Sequence, residues 1–398
     1  MEPEETQNPM TDLVQSFPVL HGATAPSGEQ GRVGQTLAEQ TSGASAPSGV
    51  SPWIIHPVFD FFFVSGGGVL LFLALNALFF GLTIPNGAST PGQRFALIAV
   101  LLGQHFFADA HNMATYMRIW GSDADRTRFA FYRTWLVWIT GGLFVSGLVF
   151  PDLIGTFVYV YLISVFWHYA AQTFGIALIY CFKRGYKLSQ FEKETFRWFI
   201  RSLTAFVIIR FLTFESMSPK NWFGVPIPFW GPLPTPLYLA AGAAVIISSA
   251  ILTFIVLKKL VFERRFPPVP AFLLVATICA LGFTSGTANA LVWFYVPAFF
   301  HGSQYLAVCM AYSLKERGIP ARDLWKTLPT SLCGTYFATV VVTGAFFYIA
   351  IPHVFAQLGF DYALIAGLVL AAVNFHHFVT DAAIWKLRDP YCRRILVE

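Results

Sequence analysis

Long apolar segments constrain this chain more than any other feature of its sequence. They recur from about residue 58 to about residue 387, and the short loops between them carry most of the charge. Of the 398 residues, 56% are hydrophobic and 12% charged, which is far from the balance of a soluble globular domain. A run of about 20 apolar residues can cross a bilayer as a helix. The sequence therefore predicts an all-α fold, a polytopic transmembrane helical bundle with about ten spans.

The predicted spans begin after residue 50. Their limits are 58–84, 95–119, 134–150, 153–182, 198–214, 237–262, 270–287, 289–313, 330–351 and 362–386. Residues 1–50 are rich in Ser, Gly, Pro, Thr and Gln, and they lack the basic start and apolar core of a signal peptide. We therefore expect a disordered cytoplasmic N-terminal tail over 1–50 and a transmembrane helical domain over 51–398.

The basic residues predict how these spans are oriented. The net charge of +5 is small, and most of the 26 Lys and Arg residues follow the even-numbered spans. Cytoplasmic loops carry such an excess, so both termini are predicted to be cytoplasmic in a multi-pass protein. Short basic clusters beside helices also argue against nucleic-acid binding. The five Cys residues have no Cys-x-x-Cys spacing and predict neither a disulfide framework nor a zinc finger.

Histidines near the middle of predicted spans are the candidate functional residues. Each has a polar residue four or five positions further on, and the pairs are His105 with Asp109, His168 with Gln172, His301 with Tyr305, and His376 or His377 with Asp381. Positions i and i+4 share one helix face, and the predicted orientation puts the pairs at similar depth. Ionisable side chains in hydrocarbon normally face the bundle interior, where histidines from several helices can build a metal site.

Acidic residues within apolar sequence follow the same pattern. They are Asp60, which comes four residues after His56, and Asp109 and Asp381. Carboxylates at this spacing can orient an imidazole or bind iron directly. His111 lies on a different helix face from the histidine six residues before it, so it is either a second-tier ligand or a packing hydrogen bonder.

At these residues the chain resembles the bacterial Brp/Blh family of membrane β-carotene cleavage dioxygenases. The matching stretches, in the family's order and spacing, are His56-Pro-Val-Phe-Asp60, His105-Phe-Phe-Ala-Asp109, Phe299-Phe-His301 and His376-His-Phe-Val-Thr-Asp381. This chain has Tyr305 where the family's late motif carries a second His, and it adds His168 and His377.

The resemblance implies a non-haem iron oxygenase in a bacterial inner membrane that acts on a lipophilic substrate with O2. Carotenoid cleavage is its specific form, and lipid desaturation or hydroxylation its broader form. The expected cofactor is Fe2+, mono- or dinuclear, with membrane lipids and a separate electron donor as further partners. The expected metal ligands are His56, His105, His168, His301, His376 and His377. The residues expected to support them are Asp60, Asp109, Gln172, Tyr305 and Asp381.

Two other functions fit the same residues. Intramembrane His and Asp also form proton or metal-ion paths in transporters, and Pro297 and Gly302 beside His301 suit the broken helices of such paths. Membrane histidines also hold haem, or pack, in structural subunits of larger complexes.

Overall fold

The computed structural model describes residues 51–80, 98, 101–222, 224–284 and 290–397. The tail predicted over 1–50 lies outside these residues, as do the junction of the first and second predicted spans and that of the seventh and eighth. The described part is almost entirely helical, which confirms the predicted helical class. Its strands are β1 (Asn221–Trp222) and β2 (Val225–Pro226), which pair antiparallel.

The helices follow the apolar segments. In chain order they are α1 (Pro57–Phe59, continued by the π-helix Asp60–Val64), α2 (Gly67–Phe80), α3 (the π-helix Gln104–Asp109, continued by Ala110–Trp120), α4 (Asp123–Arg128), α5 (Ala130–Arg133), α6 (Trp135–Val149), α7 (Leu153–Lys183), α8 (Gln190–Thr213), α9 (Thr235–Phe262), α10 (Val269–Thr284), α11 (Ala290–Glu316), α12 (Leu324–Thr327), α13 (Ser331–Ala345, the π-helix Phe346–Ala350 and Ile351–Gln357), α14 (Tyr362–Ile384) and α15 (Pro390–Val397). Short 3-10 turns lie at Glu215–Met217 and Ala321–Asp323.

Several of these helices could span a membrane. Within the described residues, α7, α9, α13 and α14 are each long and apolar enough to cross a bilayer. α1 and α2 form a further candidate that is bent by 60°. The bend lies at Gly66, whose φ is +88° and where a Cβ atom would stand 2.3 Å from the hydroxyl oxygen of Thr277. Glycine is therefore required at the bend, both for its backbone conformation and for space.

α8 begins earlier than the sequence predicts, at Gln190 rather than near residue 198. Ser189 accepts from the backbone N–H of Glu192, and the Glu192 side chain accepts in return from the backbone N–H of Ser189. This capping box starts the helix in polar sequence, where apolar periodicity gives no signal.

Four helices, α3, α7, α11 and α14, come together inside the bundle. α3 packs against α11, α13 and α14, and α7 packs against α14 and α11. α11 approaches α3 closely at Gly302, where a Cβ atom would lie 2.5 Å from the carbonyl oxygen of Phe107. α11 also continues as one helix through Pro297 and Gly302. Gly302 thus permits close helix packing within a continuous helix.

Asp60 fixes the segment that leads into α1. Its carboxylate accepts from the backbone N–H groups of Ile54 at 2.7 Å and Ile55 at 3.0 Å, and from the hydroxyl of Tyr180 in α7 at 2.6 Å. The side chain is fully buried. It therefore joins the chain before α1 to α7 through donors that would otherwise be buried without partners.

We expect Asp60→Ala to lower the free energy of unfolding by about 3 kcal/mol, because several buried donors lose their acceptor at once. Tyr180→Phe removes one of these bonds and should cost about 1 kcal/mol. The thermal midpoint of the detergent-purified protein, followed by size-exclusion chromatography, measures both effects. An Asp60→Ala protein as stable as the wild type would show that this clamp contributes nothing.

Candidate metal centre

Four histidine side chains from four different helices meet inside the bundle. They are His111 of α3, His168 of α7, His301 of α11 and His377 of α14. The Nε2 atom of His168 lies 3.1 Å from Nε2 of His301 and 3.1 Å from Nε2 of His377. The His111 ring lies 4.7 Å, between ring centroids, from the rings of His301 and His377 and stands nearly perpendicular to each.

Asp381 adds a carboxylate to this cluster. Its Oδ2 atom lies 3.7 Å from Nε2 of His168 and 3.8 Å from Nε2 of His377. The candidate ligand atoms of His168, His377 and Asp381 all lie within 4.8 Å of one another, and the same holds for His111, His301 and His377. The two groups share His377, so they form one continuous cluster.

The spacing of the ring nitrogens fits a bound cation. Metal–nitrogen bonds of about 2.0–2.1 Å place neighbouring ligand nitrogens about 3 Å apart. Nε2 of His168 carries at most one proton, so it can donate to only one of its two neighbours at 3.1 Å. A metal ion that accepts lone pairs from all three rings would satisfy both contacts.

A further ring nitrogen of the cluster lacks a hydrogen-bond partner. Nε2 of His111 is buried and has no partner among the described residues. Buried polar atoms normally have one. With the neighbouring imidazoles, the free lone pair of this nitrogen makes up a set of donors that suits an imidazole-binding metal.

A hydrogen bond at the other ring nitrogen fixes the tautomer of His111, and the contact at Nδ1 of His377 is compatible with the same tautomer. Nδ1 of His111 contacts the carbonyl oxygen of Ala108, which can only accept, so Nδ1 carries the proton and Nε2 keeps a free lone pair. Nδ1 of His377 lies 2.7 Å from the hydroxyl oxygen of Thr115. Protonation of Nδ1 there likewise leaves Nε2 of His377 unprotonated, as a metal ligand requires.

A chain of hydrogen bonds extends from Thr115 to the carboxylate. The Thr115 hydroxyl lies 2.8 Å from the hydroxyl of Tyr305, which in turn lies 2.5 Å from Oδ1 of Asp381. The indole Nε1–H of Trp385 donates to the Tyr305 hydroxyl at 3.1 Å. With His377 donating to Thr115, Thr115 to Tyr305 and Tyr305 to Asp381, every proton has an acceptor. This chain holds His377 and Asp381 in fixed orientations.

Gln172 supports the cluster through the backbone. Its side-chain amide donates to the carbonyl oxygen of His301 at 3.0 Å and to Oε1 of Gln304 at 3.0 Å. Gln304 donates in turn to the carbonyl oxygen of Val64 at 2.8 Å. Gln172 therefore fixes the position of α11, and so of His301, relative to α7.

Of the ligands expected from the sequence, His168, His301 and His377 lie in the cluster, and His376 does not. Nε2 of His376 lies 2.8 Å from the carbonyl oxygen of Tyr132, and its ring stacks on Tyr116 at 5.0 Å. Consecutive residues of a helix are rotated by about 100°. His376 and His377 therefore point to different sides of α14, and only His377 faces the other imidazoles.

The structure also places His56 and His105 outside the cluster. Nδ1 of His56 accepts from the backbone N–H of Val58 at 3.3 Å, and its ring stacks on Trp325 at 4.5 Å. His105 is partly exposed, and its Nδ1 lies 3.5 Å from Oδ2 of Asp109. Both positions have local structural partners, as does Asp60 in its clamp.

His111 enters the cluster because of an irregular turn in α3. The π-helix Gln104–Asp109 ends just before His111, and such a turn accommodates an extra residue and so rotates the residues after it. No feature of the local sequence signals this turn. The sequence does offer another signal for His111, because it is a histidine within an apolar segment and lies six residues after His105.

An apolar cavity of about 480 Å³ opens beside the cluster, between α7 and α14. Its polar lining includes His168, Gln172, Tyr305 and Asp381, and most other lining residues are apolar. Trp167 and Phe375, at its open side, are 52% and 37% exposed on the outer surface of the bundle. The cavity therefore connects the imidazoles with the outer surface of the bundle.

The chain matches no protein-family model, no curated protein and no solved structure.

Replacing a histidine of the cluster should remove bound metal, whereas replacing one outside it should not. We expect His111→Ala, His168→Ala, His301→Ala and His377→Ala to lower the metal content of purified protein about tenfold or more. His56→Ala, His105→Ala and His376→Ala are the matched controls and should retain it. Elemental mass spectrometry on detergent-purified variants measures this. Loss of metal from His105→Ala or His376→Ala, but not from His111→Ala, would contradict this assignment.

Thr115→Val should weaken metal binding about 10–100-fold without unfolding the protein, because the nearly isosteric side chain no longer accepts from Nδ1 of His377. Thr115→Ser keeps the hydroxyl and should restore binding. Thr173→Val is the control, since the buried Thr173 hydroxyl bonds its own helix at the carbonyl oxygen of Tyr169. Competition with a chromophoric chelator gives the three affinities. Equal affinities for Thr115→Val and the wild type would rule out this role for Thr115.

Proposed function

We propose that the chain is an integral membrane oxygenase that holds one iron ion among His111, His168, His301 and His377 and oxidises a lipophilic substrate with O2. The observation that carries this proposal is the convergence of four imidazoles beside an apolar cavity open to the outer surface of the bundle. Iron supplies the redox chemistry that reaction with O2 requires. Imidazole also suits copper, zinc and nickel, and we choose iron for its reactivity toward O2, because only His301 and Asp381 of the residues that carry the resemblance lie at the cluster.

The ligand set supports a single ion. His377 belongs to both groups of candidate ligands, and its Nε2 atom has one lone pair, which binds one metal. Its Nδ1 atom is engaged with Thr115. Two ions would have to share four imidazoles and one carboxylate, all of which lie around His168 and His377. A single ion would therefore have more protein ligands than either of two ions.

Residues of the chain prepare the reaction in several ways. The Thr115–Tyr305–Asp381 hydrogen bonds hold one imidazole and the carboxylate in place, which limits reorganisation at the metal. Oδ2 of Asp381 faces His168 and His377 and brings negative charge close to a cation. The apolar cavity excludes water from the reacting part of the substrate.

The ring spacing favours this reading over a haem subunit. Two axial histidines on opposite faces of a haem iron would have their ligand nitrogens about 4 Å apart, twice the metal–nitrogen distance. The 3.1 Å spacings around His168 suit neighbouring ligands of one ion instead. The continuity of α11 through Pro297 and Gly302 likewise favours an enzyme over a transporter, because ion paths commonly use broken helices.

The membrane topology is part of the proposal. Every predicted span overlaps at least one helix in the described part of the chain, and four or five of the helices there are long and apolar enough to cross a bilayer. With the Lys and Arg bias, this supports a multi-pass protein of about ten spans with both termini cytoplasmic. The resemblance points to a bacterial inner membrane.

Two forms of the reaction differ in what they consume. Cleavage of a polyene double bond by O2 places one oxygen atom in each of two carbonyl products, and it balances without added electrons. Hydroxylation or desaturation also consumes two electrons and two protons and produces water, so it requires a separate electron donor. The need for a reductant therefore distinguishes carotenoid cleavage from lipid hydroxylation or desaturation.

The test is O2 consumption by iron-loaded protein in lipid nanodiscs, with β-carotene or phospholipid as substrate, with and without a reductant. We expect substrate-dependent O2 uptake and oxidised products by mass spectrometry in the wild type and in His376→Ala. His301→Ala should lose both, because it lacks a metal ligand. Equal O2 uptake in His301→Ala would contradict the proposal. Reaction of cysteines placed at 168 and 301 with membrane-impermeant thiol reagents would favour the transporter reading.

A further inference from the structure

The lining of the cavity beside the imidazoles extends unequally along α7 to either side of His168, which divides this groove into a shorter and a longer arm. We infer that it seats one end of an elongated hydrocarbon chain in the longer arm and thereby fixes which carbon reaches the metal centre. This inference rests on the proposed function, because it assumes that the substrate reacts at the imidazole cluster. It adds a specificity-determining residue, Gly175, and a direction for the bound chain.

The positions of the lining residues along α7 give the lengths of the arms. The groove extends along this helix from Ser164 to Ile179, and His168 lies much closer to the first end. At 1.5 Å per residue, His168 is about 6 Å from Ser164 and about 16 Å from Ile179. The longer arm can hold an extended chain of roughly a dozen carbon atoms.

Beyond Gln172 and Asp381, the longer arm is apolar and its lining ends in buried side chains. Its lining includes Ile176, Ile179, Val308 and Leu396, all of which are buried. No Lys or Arg is among the described residues that line the groove. A charged head group would lose its hydration there without gaining a partner, so this arm accepts an apolar chain end.

The groove is open along its side, toward the outer surface of the bundle. Trp167 and Phe375 border it and are exposed, and so are the small residues Ala171 and Ala382. In a membrane this surface faces lipid, so a chain can enter sideways from the bilayer. A polar group at the trailing end of the substrate can then remain outside the longer arm.

Gly175 determines the free length of the longer arm. It lies seven residues after His168 and lines the groove. A Cβ atom built at Gly175 meets nothing within 4 Å. The space in front of Gly175 therefore belongs to the groove, and a larger side chain would occupy it without displacing backbone.

Photo-crosslinking tests where the chain end is seated. The probe is octadecanoic acid with a photoreactive diazirine at its methyl end, added to iron-loaded full-length protein in nanodiscs. In the wild type we expect adducts at Ile176, Ile179, Val308 or Leu396 by peptide mass spectrometry. Gly175→Leu should lower their yield about tenfold, because its side chain fills the arm. Gly141→Leu is the matched control, since Gly141 of α6 also has open space around its Cβ position and lies outside the groove.

Adducts of the methyl-end probe at Trp167 and Phe375 in the wild type would overturn the inference, and so would an unchanged yield in Gly175→Leu. Elution of both Leu variants like the wild type on size exclusion excludes misfolding as the cause. The adduct pattern reports binding whether or not iron is present. Expected adducts without bound iron would therefore refute the oxygenase alone, whereas bound iron without these adducts would refute the groove alone.

Discussion

Four imidazoles that share a small volume inside an apolar bundle are the arrangement on which the rest of this structure depends. Ring nitrogens away from water must find partners, and a shared ring nitrogen cannot donate to two neighbours at once. The 3.1 Å contacts around His168 and the orphaned Nε2 of His111 leave this requirement unmet by protein groups alone among the described residues. A cation bound by these ring nitrogens would meet it, which is the reason for proposing a metal centre here.

The surrounding helices serve to hold these rings in place. The close contact at Gly302 brings α11 against α3, and Gln172 bonds the backbone of His301 to α7. Thr115 and Tyr305 connect α3 and α11 to Asp381 of α14. All four helices that carry a histidine are thus tied to one another by contacts close to the cluster, so small changes in helix packing would alter the ligand geometry.

Hydrophobicity predicts most of the fold, because a bilayer requires long apolar helices and the chain has them. α7, predicted over 153–182 and observed as Leu153–Lys183, shows how closely an apolar run defines a helix. α8 begins earlier than its apolar sequence predicts, because its first turns are polar and depend on the Ser189 capping box. The bend at Gly66 depends on contact with Thr277, which is distant in sequence.

The candidate site is less predictable than the fold, because ligand choice depends on helix rotation as well as depth. Predicted depth in the membrane does not tell which of the adjacent His376 and His377 faces the cluster, because only the rotation of the helix distinguishes them. His111 faces the cluster only after the π-helical turn of α3. Thr115 gave no signal at all, since a threonine in a membrane helix usually bonds its own backbone, as Thr173 does. Whether these residues bind metal stays a prediction.

X-ray absorption spectroscopy at the iron K-edge of purified wild-type protein tests the central claim most directly. We expect one iron environment built from nitrogen and oxygen neighbours, with the multiple-scattering pattern of about four imidazoles. An iron site with one or two imidazoles, an iron–iron scattering path, or folded protein with no bound transition metal would contradict it.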